Sequence, residues 1–133
     1  MVTAEVVNDL GNGKFKTVVA AGPLLEPSYP ELDNLSLGVN VDANSRTNLG
    51  VFNDSNESNT IQAEVYNASG TFVTTVSFEG VGSRAWAQKG LTGVTVQGGY
   101  IRWKMQAPAF CWAVVVDNKS NDGTFLPAAD VLR

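Results

Sequence analysis

The chain has no histidine, a single cysteine, and charged residues at only 17% of its 133 positions. Each shortage removes a class of function. Without histidine, neither a Ser-His-Asp nor a Cys-His nucleophile can be assembled, because the proton-accepting imidazole is missing. One cysteine and no histidine also leave too few ligands for the common zinc sites. Cys111 has no partner within the chain, so there is no internal disulfide and the redox compartment stays open. Lys and Arg never cluster and the formal net charge is −4, against the clustered basic face that nucleic-acid binding by counterion release requires. Long apolar runs are missing too: nothing approaches the roughly 18 residues of a membrane-spanning helix. The opening MVTAEVVNDLGNGKFK lacks the basic head and apolar middle of a signal peptide. The expectation is either an intracellular chain or a mature exported one.

What is present points to strands. The length suits one domain with one sizeable core, here expected over 1–133. Apolar residues make up 44% of the chain, so Asn, Ser, Thr and Gln must supply most of the surface polarity. Thirteen glycines, five prolines and many β-branched residues break any 3.6-residue period, while short alternating runs recur between turn signals. In TIQAEVYNASGTFVTTVSF, Ile61, Ala63 and Val65 alternate with polar neighbours, NASG turns the chain, and Phe72, Val76 and Phe78 are expected on one side of a second strand. GGYIRWKMQAP puts Ile101, Trp103 and Met105 on one face and Arg102, Lys104 and Gln106 on the other.

FCWAVVV, residues 110–116, has no polar face. It reads as a central strand covered on both sides, with Phe110, Trp112, Val114 and Val116 going one way and Cys111, Ala113 and Val115 the other. KFKTVVAA, TNLGVFN and VTVQ (94–97) are further strands, which makes about seven in all and predicts an antiparallel β-sandwich of the immunoglobulin-like kind. The proline-rich stretch 22–40 reads as a long surface connection, with one helical turn near PELDNL.

Each candidate site has a structural reading beside the functional one. Cys111 inside an apolar strand reads as a buried, inert thiol, since no base is at hand to make it a thiolate. DNKSNDG, Asp117 to Gly123, offers hard oxygens for calcium. Aligning Gly123 with the invariant glycine of the twelve-residue calcium loop, however, puts Ala129 where the bidentate Glu belongs. A turn whose Asn, Asp and Ser side chains bond their own backbone explains the same letters, and no metal or other cofactor is expected. Trp103 and Trp112 stand at core phases, which leaves Trp86, in GSRAWAQKG, as the one candidate for an exposed sugar-stacking platform. No pair of acids suggests glycoside hydrolysis. Asn-x-Ser triplets begin at Asn34, Asn53, Asn56, Asn67 and Asn118, and carry meaning only in a host that glycosylates exported proteins.

Read in order, TVVAAG, SRTNLGVFNDSNESNTIQAEVYNASGTFV and GGYIRWKMQAPAFCWAVVVDNKSNDGTFLPA resemble a loosely defined family of bacterial exported β-sandwich modules. Its pattern is an Arg-Thr-(Asn/Asp)-Leu strand, an Asn-ended turn, a YdasG hairpin and a closing SvvDN segment with a later tf.Pa. Arg46, Thr47, Asn48 and Leu49 fall on the first motif, Tyr66 and Gly70 on the hairpin, and Asp117, Asn118, Asp122 and Pro127 on the last. The 22–40 insert and the Cys111-Trp112 pair have no counterpart in it.

The resemblance implies an immunoglobulin-like, non-catalytic module of surface, secreted or appendage proteins, here read without a signal peptide. The expected function is therefore protein–protein contact as a surface, pilus- or filament-associated subunit, or as an accessory domain, with a carbohydrate-binding module centred on Trp86 as the alternative. The expected partners are other protein subunits, like or unlike, with TAEVVND or DVLR supplying or receiving an edge strand. In a filament the chain would be a partner or coat, since it has no long apolar helix for the filament core. Arg46 just before one strand and Asp117 just after another are both charged residues flanking apolar runs. They are expected to meet in a structural clasp with Asn118 and Asp122, Arg46 pairing with Asp117 or donating to the 117–123 turn.

Overall fold

The computed structural model describes residues 2–9, 14–21 and 26–131, with the backbone alone for the first two spans and for Val131. In chain order the strands are β1 (Val2–Asp9), β2 (Lys14–Ala21), β3 (Asp33–Val41), β4 (Ser45–Asn53), β5 (Asn59–Tyr66), β6 (Phe72–Val81), β7 (Trp86–Leu91), β8 (Val96–Met105), β9 (Ala109–Asp117), β10 (Gly123–Pro127) and β11 (Ala129–Val131). No helix occurs among the described residues; at PELDNL the chain makes a turn in which the Leu32 N–H donates to the Tyr29 carbonyl. β1 and β2 pair with each other, from Val2 opposite Ala21 to Asp9 opposite Lys14.

The other nine strands form two antiparallel sheets packed together, ordered β10-β9-β4-β7 and β11-β3-β8-β5-β6. The fold is thus the expected all-β antiparallel sandwich, with nine strands where about seven were read. The pairs β4–β7 and β5–β8 stand where an immunoglobulin sandwich has its B–E and C–F pairs, while β3 lies beside β8 and β9 beside β4. From β3 to β11 every connection except β5–β6 and β9–β10 crosses between sheets, a pattern of the jelly-roll kind.

The core lies between the sheets, where period-2 alternation delivers one side chain in two from each strand. Leu49 and Val51 of β4, Ile61, Ala63 and Val65 of β5, Ile101 and Trp103 of β8, and Cys111 and Ala113 of β9 are all buried there, with Phe78, Leu91 and Val96. At an order-of-magnitude value of roughly 2 kcal/mol for each large apolar side chain withdrawn from water, this cluster supplies the main drive to fold. The buried indole of Trp103 needs a hydrogen-bond acceptor, and the Ser36 hydroxyl provides it at 2.9 Å.

Four readings of the sequence are corrected. The second half of the supposed 22–40 connection is β3, hidden because its alternation is inverted. Asn34 and Ser36 point in and are buried, while Leu37 is 64% exposed. Most of the inward polar atoms are bonded: Asn34 Nδ2 donates to the Tyr29 and Leu32 carbonyls, and the Ser36 hydroxyl to the Leu126 carbonyl, while Asn34 Oδ1 is buried without a partner among the described residues. At Gly38, φ is +93° and the register slips, which brings apolar Val39 inward beyond it. VTVQ is no separate strand, since β8 begins inside it at Val96. Phe72 does not share a side with Phe78, because a register shift between Val65 and Tyr66 turns it outward. Trp112 is not in the core, for a reason that also defines the candidate site.

Candidate binding surface

On β9 the two parities divide by size. Ala109, Cys111 and Ala113 face the core, so the larger Phe110, Trp112, Val114 and Val116 take the outer parity, opposite Phe52, Gly50, Asn48 and Arg46 of β4. The outer face of the four-stranded sheet therefore carries three strand-to-strand rows. Trp86, Phe52 and Phe110 form the first, Gln88, Gly50, Trp112 and Pro127 the second, and Gly90, Asn48, Val114 and Phe125 the third. The rings of Phe52 and Phe110 lie 6.1 Å apart, centre to centre, at 49°. The Trp112 indole lies across Gly50, where a Cβ would come within 2.3 Å of its Cε2 and 2.5 Å of its Nε1. A glycine in mid-strand is what lets the ring come down onto the sheet.

Trp86 is 65% exposed, as the sequence led one to expect, but it does not stand alone. Phe52, Phe110 and Trp112 are half-buried beside it and complete an aromatic cluster that sequence reasoning missed. Two signals were available: the small-large division of FCWAVVV, and the glycine centred in TNLGVFN opposite a tryptophan. Of the outward positions described on this sheet, Arg46 alone is charged.

Arg46 donates through Nη1 to Asn118 Oδ1 at 2.9 Å and through Nη2 to Asn121 Oδ1 at 3.0 Å. It thus reaches the 117–123 turn through two amides and not through Asp117. Asn121 is the member that sequence reasoning left out; it sits at φ +61°, a conformation Asn tolerates better than most residues. Asp117 closes its own turn, its Oδ1 accepting from the Lys119 and Ser120 N–H groups at 2.7 and 2.9 Å. Those backbone donors, Ser120 first, hold its carboxyl below the usual value near 3.8. Asp122 joins through its backbone, accepting from the Asp117 N–H at 2.9 Å. Of the oxygens that suggested calcium, Asp117 Oδ1, Asn118 Oδ1 and Ser120 Oγ accept from this chain's own donors, and no cluster of metal-binding side chains occurs among the described residues.

Burial pushes the Cys111 thiol well above its ordinary range, so a thiolate does not form there. Of the Asn-x-Ser asparagines, Asn34 and Asn53 are buried, with their amides donating to backbone carbonyls; Asn56 and Asn118 are exposed. Of the segments named for strand exchange, TAEVVND lies in β1, paired with β2, and Asp130 and Val131 lie in β11, paired with β3; Leu132 and Arg133 fall outside the described residues. No protein-family model matches the chain, and no curated protein or solved structure does either.

Proposed function

We propose that the protein is a non-catalytic β-sandwich module that works by protein–protein contacts, as a secreted, surface or appendage subunit or accessory domain, with the outer face of the four-stranded sheet as its contact surface. The cluster of Trp86, Phe52, Phe110 and Trp112 on a face with one charge carries this reading. Contiguous exposed apolar area marks interaction sites, and aromatic anchors at their centre contribute most of the binding energy. The family resemblance supports the extracellular setting. The face supports the reading better than the edges do. On one side of the sandwich Lys89 of β7 reaches across to donate to the Ser77 carbonyl of β6, which takes up an acceptor that an added strand would need.

An almost uncharged face is complementary to itself, so a second copy is the first partner to test. Light scattering on the full chain is expected to show concentration-dependent association, and Trp86→Ser/Phe110→Ser to abolish it with an unchanged far-ultraviolet dichroism spectrum. A carbohydrate-binding module is the second reading, favoured by the way the Trp112 indole lies along the sheet over Gly50, with exposed Trp86 in the next row. Tryptophan quenching by members of a polysaccharide panel, lost in Trp86→Ala, would replace the first reading with the second.

A further inference from the structure

The outer face of the five-stranded sheet carries a different surface. Leu37 of β3, Tyr100 of β8, Tyr66 of β5 and Phe72 of β6 stand opposite one another in a single row across four strands. The two ends of the row are open, Leu37 at 64% and Phe72 at 54% exposure. Between them the Tyr66 and Tyr100 rings stack at 5.0 Å and 11°, and the Phe72 ring meets Tyr66 edge-on at 5.8 Å. The tyrosines therefore turn their faces to each other and their edges outward. A sugar ring needs an open aromatic face, which this arrangement withholds, whereas apolar side chains of a polypeptide pack against edges and the flanking Leu and Phe.

Arg102 lies in the next row, between Leu35 and Glu64, with its guanidinium carbon 5.8 Å from the Tyr66 ring centre. It accepts that cation–π contact but makes no hydrogen bond among the described residues, and its Nε is buried without a partner. A buried donor left unpaired calls for an explanation. The half-buried guanidinium has already lost part of its hydration, and its Nη groups are available to an acceptor brought from outside. The other charged or titratable groups on this face are Glu64, which accepts from the Tyr66 hydroxyl at 3.4 Å, Asp33 of β3, Glu79 of β6, Lys104 and the two tyrosines. Glu64 across the ladder disfavours a dianion such as a phosphate, while one carboxylate matches one guanidinium.

We propose that this face is a second docking surface, separate from the Trp86 face, and that it takes an extended acidic segment of a partner protein. Its carboxylate pairs with Arg102 while neighbouring apolar side chains rest on the row from Leu37 to Phe72. At the spacing of sheet strands the row is roughly 14 Å long, the reach of about four extended residues.

The test is an amide chemical-shift titration of the full, isotope-labelled chain with acetyl-Phe-Asp-Phe-amide, its Phe-Asn-Phe counterpart and cellohexaose. The expected result is shifts centred on Leu37, Tyr66, Phe72, Tyr100 and Arg102, with the Asp peptide bound about threefold tighter than the Asn peptide. Arg102→Gln should equalise the two peptides. Phe72→Ser, at an open position, should weaken both and leave their ratio unchanged. The proposal is overturned if neither peptide moves these amides, if the wild-type chain binds both equally, if Arg102→Gln keeps the preference, or if cellohexaose alone shifts the row. Shifts confined to Trp86, Phe52, Phe110 and Trp112 would also overturn it, and would leave the Trp86 face standing.

Discussion

The two ends of β4 are both fastened by asparagine and differ in depth. At its C-terminal end Asn53 and Asn59 are fully buried and saturated. Asn53 Nδ2 donates to the carbonyls of Glu57, Val81 and Gly82 at 2.7 to 3.0 Å, and its Oδ1 accepts from Ser55 N–H and hydroxyl. Asn59 donates to the Ala107 carbonyl at 2.9 Å and accepts from the Gln106 and Ala107 N–H groups. Two side chains thus hold the loops after β4, β6 and β8 together. At the N-terminal end Arg46 and the 117–123 turn make charged and amide hydrogen bonds of similar length, but near water. Bond lengths do not separate the two ends. Burial does, because a group left unpaired inside cannot turn to solvent for a replacement.

Changing Asn to Asp at each end breaks the symmetry most sharply. Asn53→Asp places a carboxylate oxygen against three carbonyls, with the neighbouring Arg84 guanidinium already bonded to Asp54 and Asn56, and should cost about 3–5 kcal/mol. Asn118→Asp gives Arg46 a charged acceptor and should gain no more than about 1 kcal/mol. Urea midpoints at neutral pH would read both, with the slope checking that unfolding stays two-state; a loss at both positions would refute the contrast. Asn59→Ala strands the Ala107 N–H and carbonyl and is expected to cost about 2–3 kcal/mol by the same measurement. Arg46→Ala should cost less than about 1 kcal/mol, with little dependence on salt because its two partners are neutral amides.

The smallest effect concerns pH. Backbone donors lower the Asp117 carboxyl, so its contribution is present above the usual value near 3.8 and disappears as pH falls through the lowered folded value. Asp42, lowered first by the Asn44 N–H and then by the Gln97 amide, has the same sign. Asp117→Asn keeps an oxygen that can accept from the turn but does not titrate. It should lose less stability than the wild type when urea midpoints are followed from neutral pH to about 2.5.

Alternation made β4, β5, β8 and β9 legible, because the middle of their inner parity is apolar and the buried polar Thr47, Asn53 and Asn59 stand only towards the strand ends. It failed on β3, where polar Asn34 and Ser36 point inward, Asn34 to the nearby carbonyls of Tyr29 and Leu32 and Ser36 to Leu126, ninety residues away. It also left both candidate surfaces undivided: Trp86 was visible as an exposed aromatic, but Phe110 and Trp112 stood in a run that reads as covered on both sides, and nothing gave Phe52 a side. A strand with no polar residue says that both of its sides are apolar; it does not say how far each is covered, and the outer parity of β9 is buried at Val114 and Val116 but only half-buried at Phe110 and Trp112.

The sequence by itself determined the fold class, through short alternating runs between turns, and it excluded histidine- and disulfide-based chemistry through composition alone. The tertiary structure decided which parity of each strand faces inward, which asparagines are buried, and which aromatics meet on one face. Those outcomes depend on register between strands far apart in the chain, and a shift of one residue exchanges inside for outside.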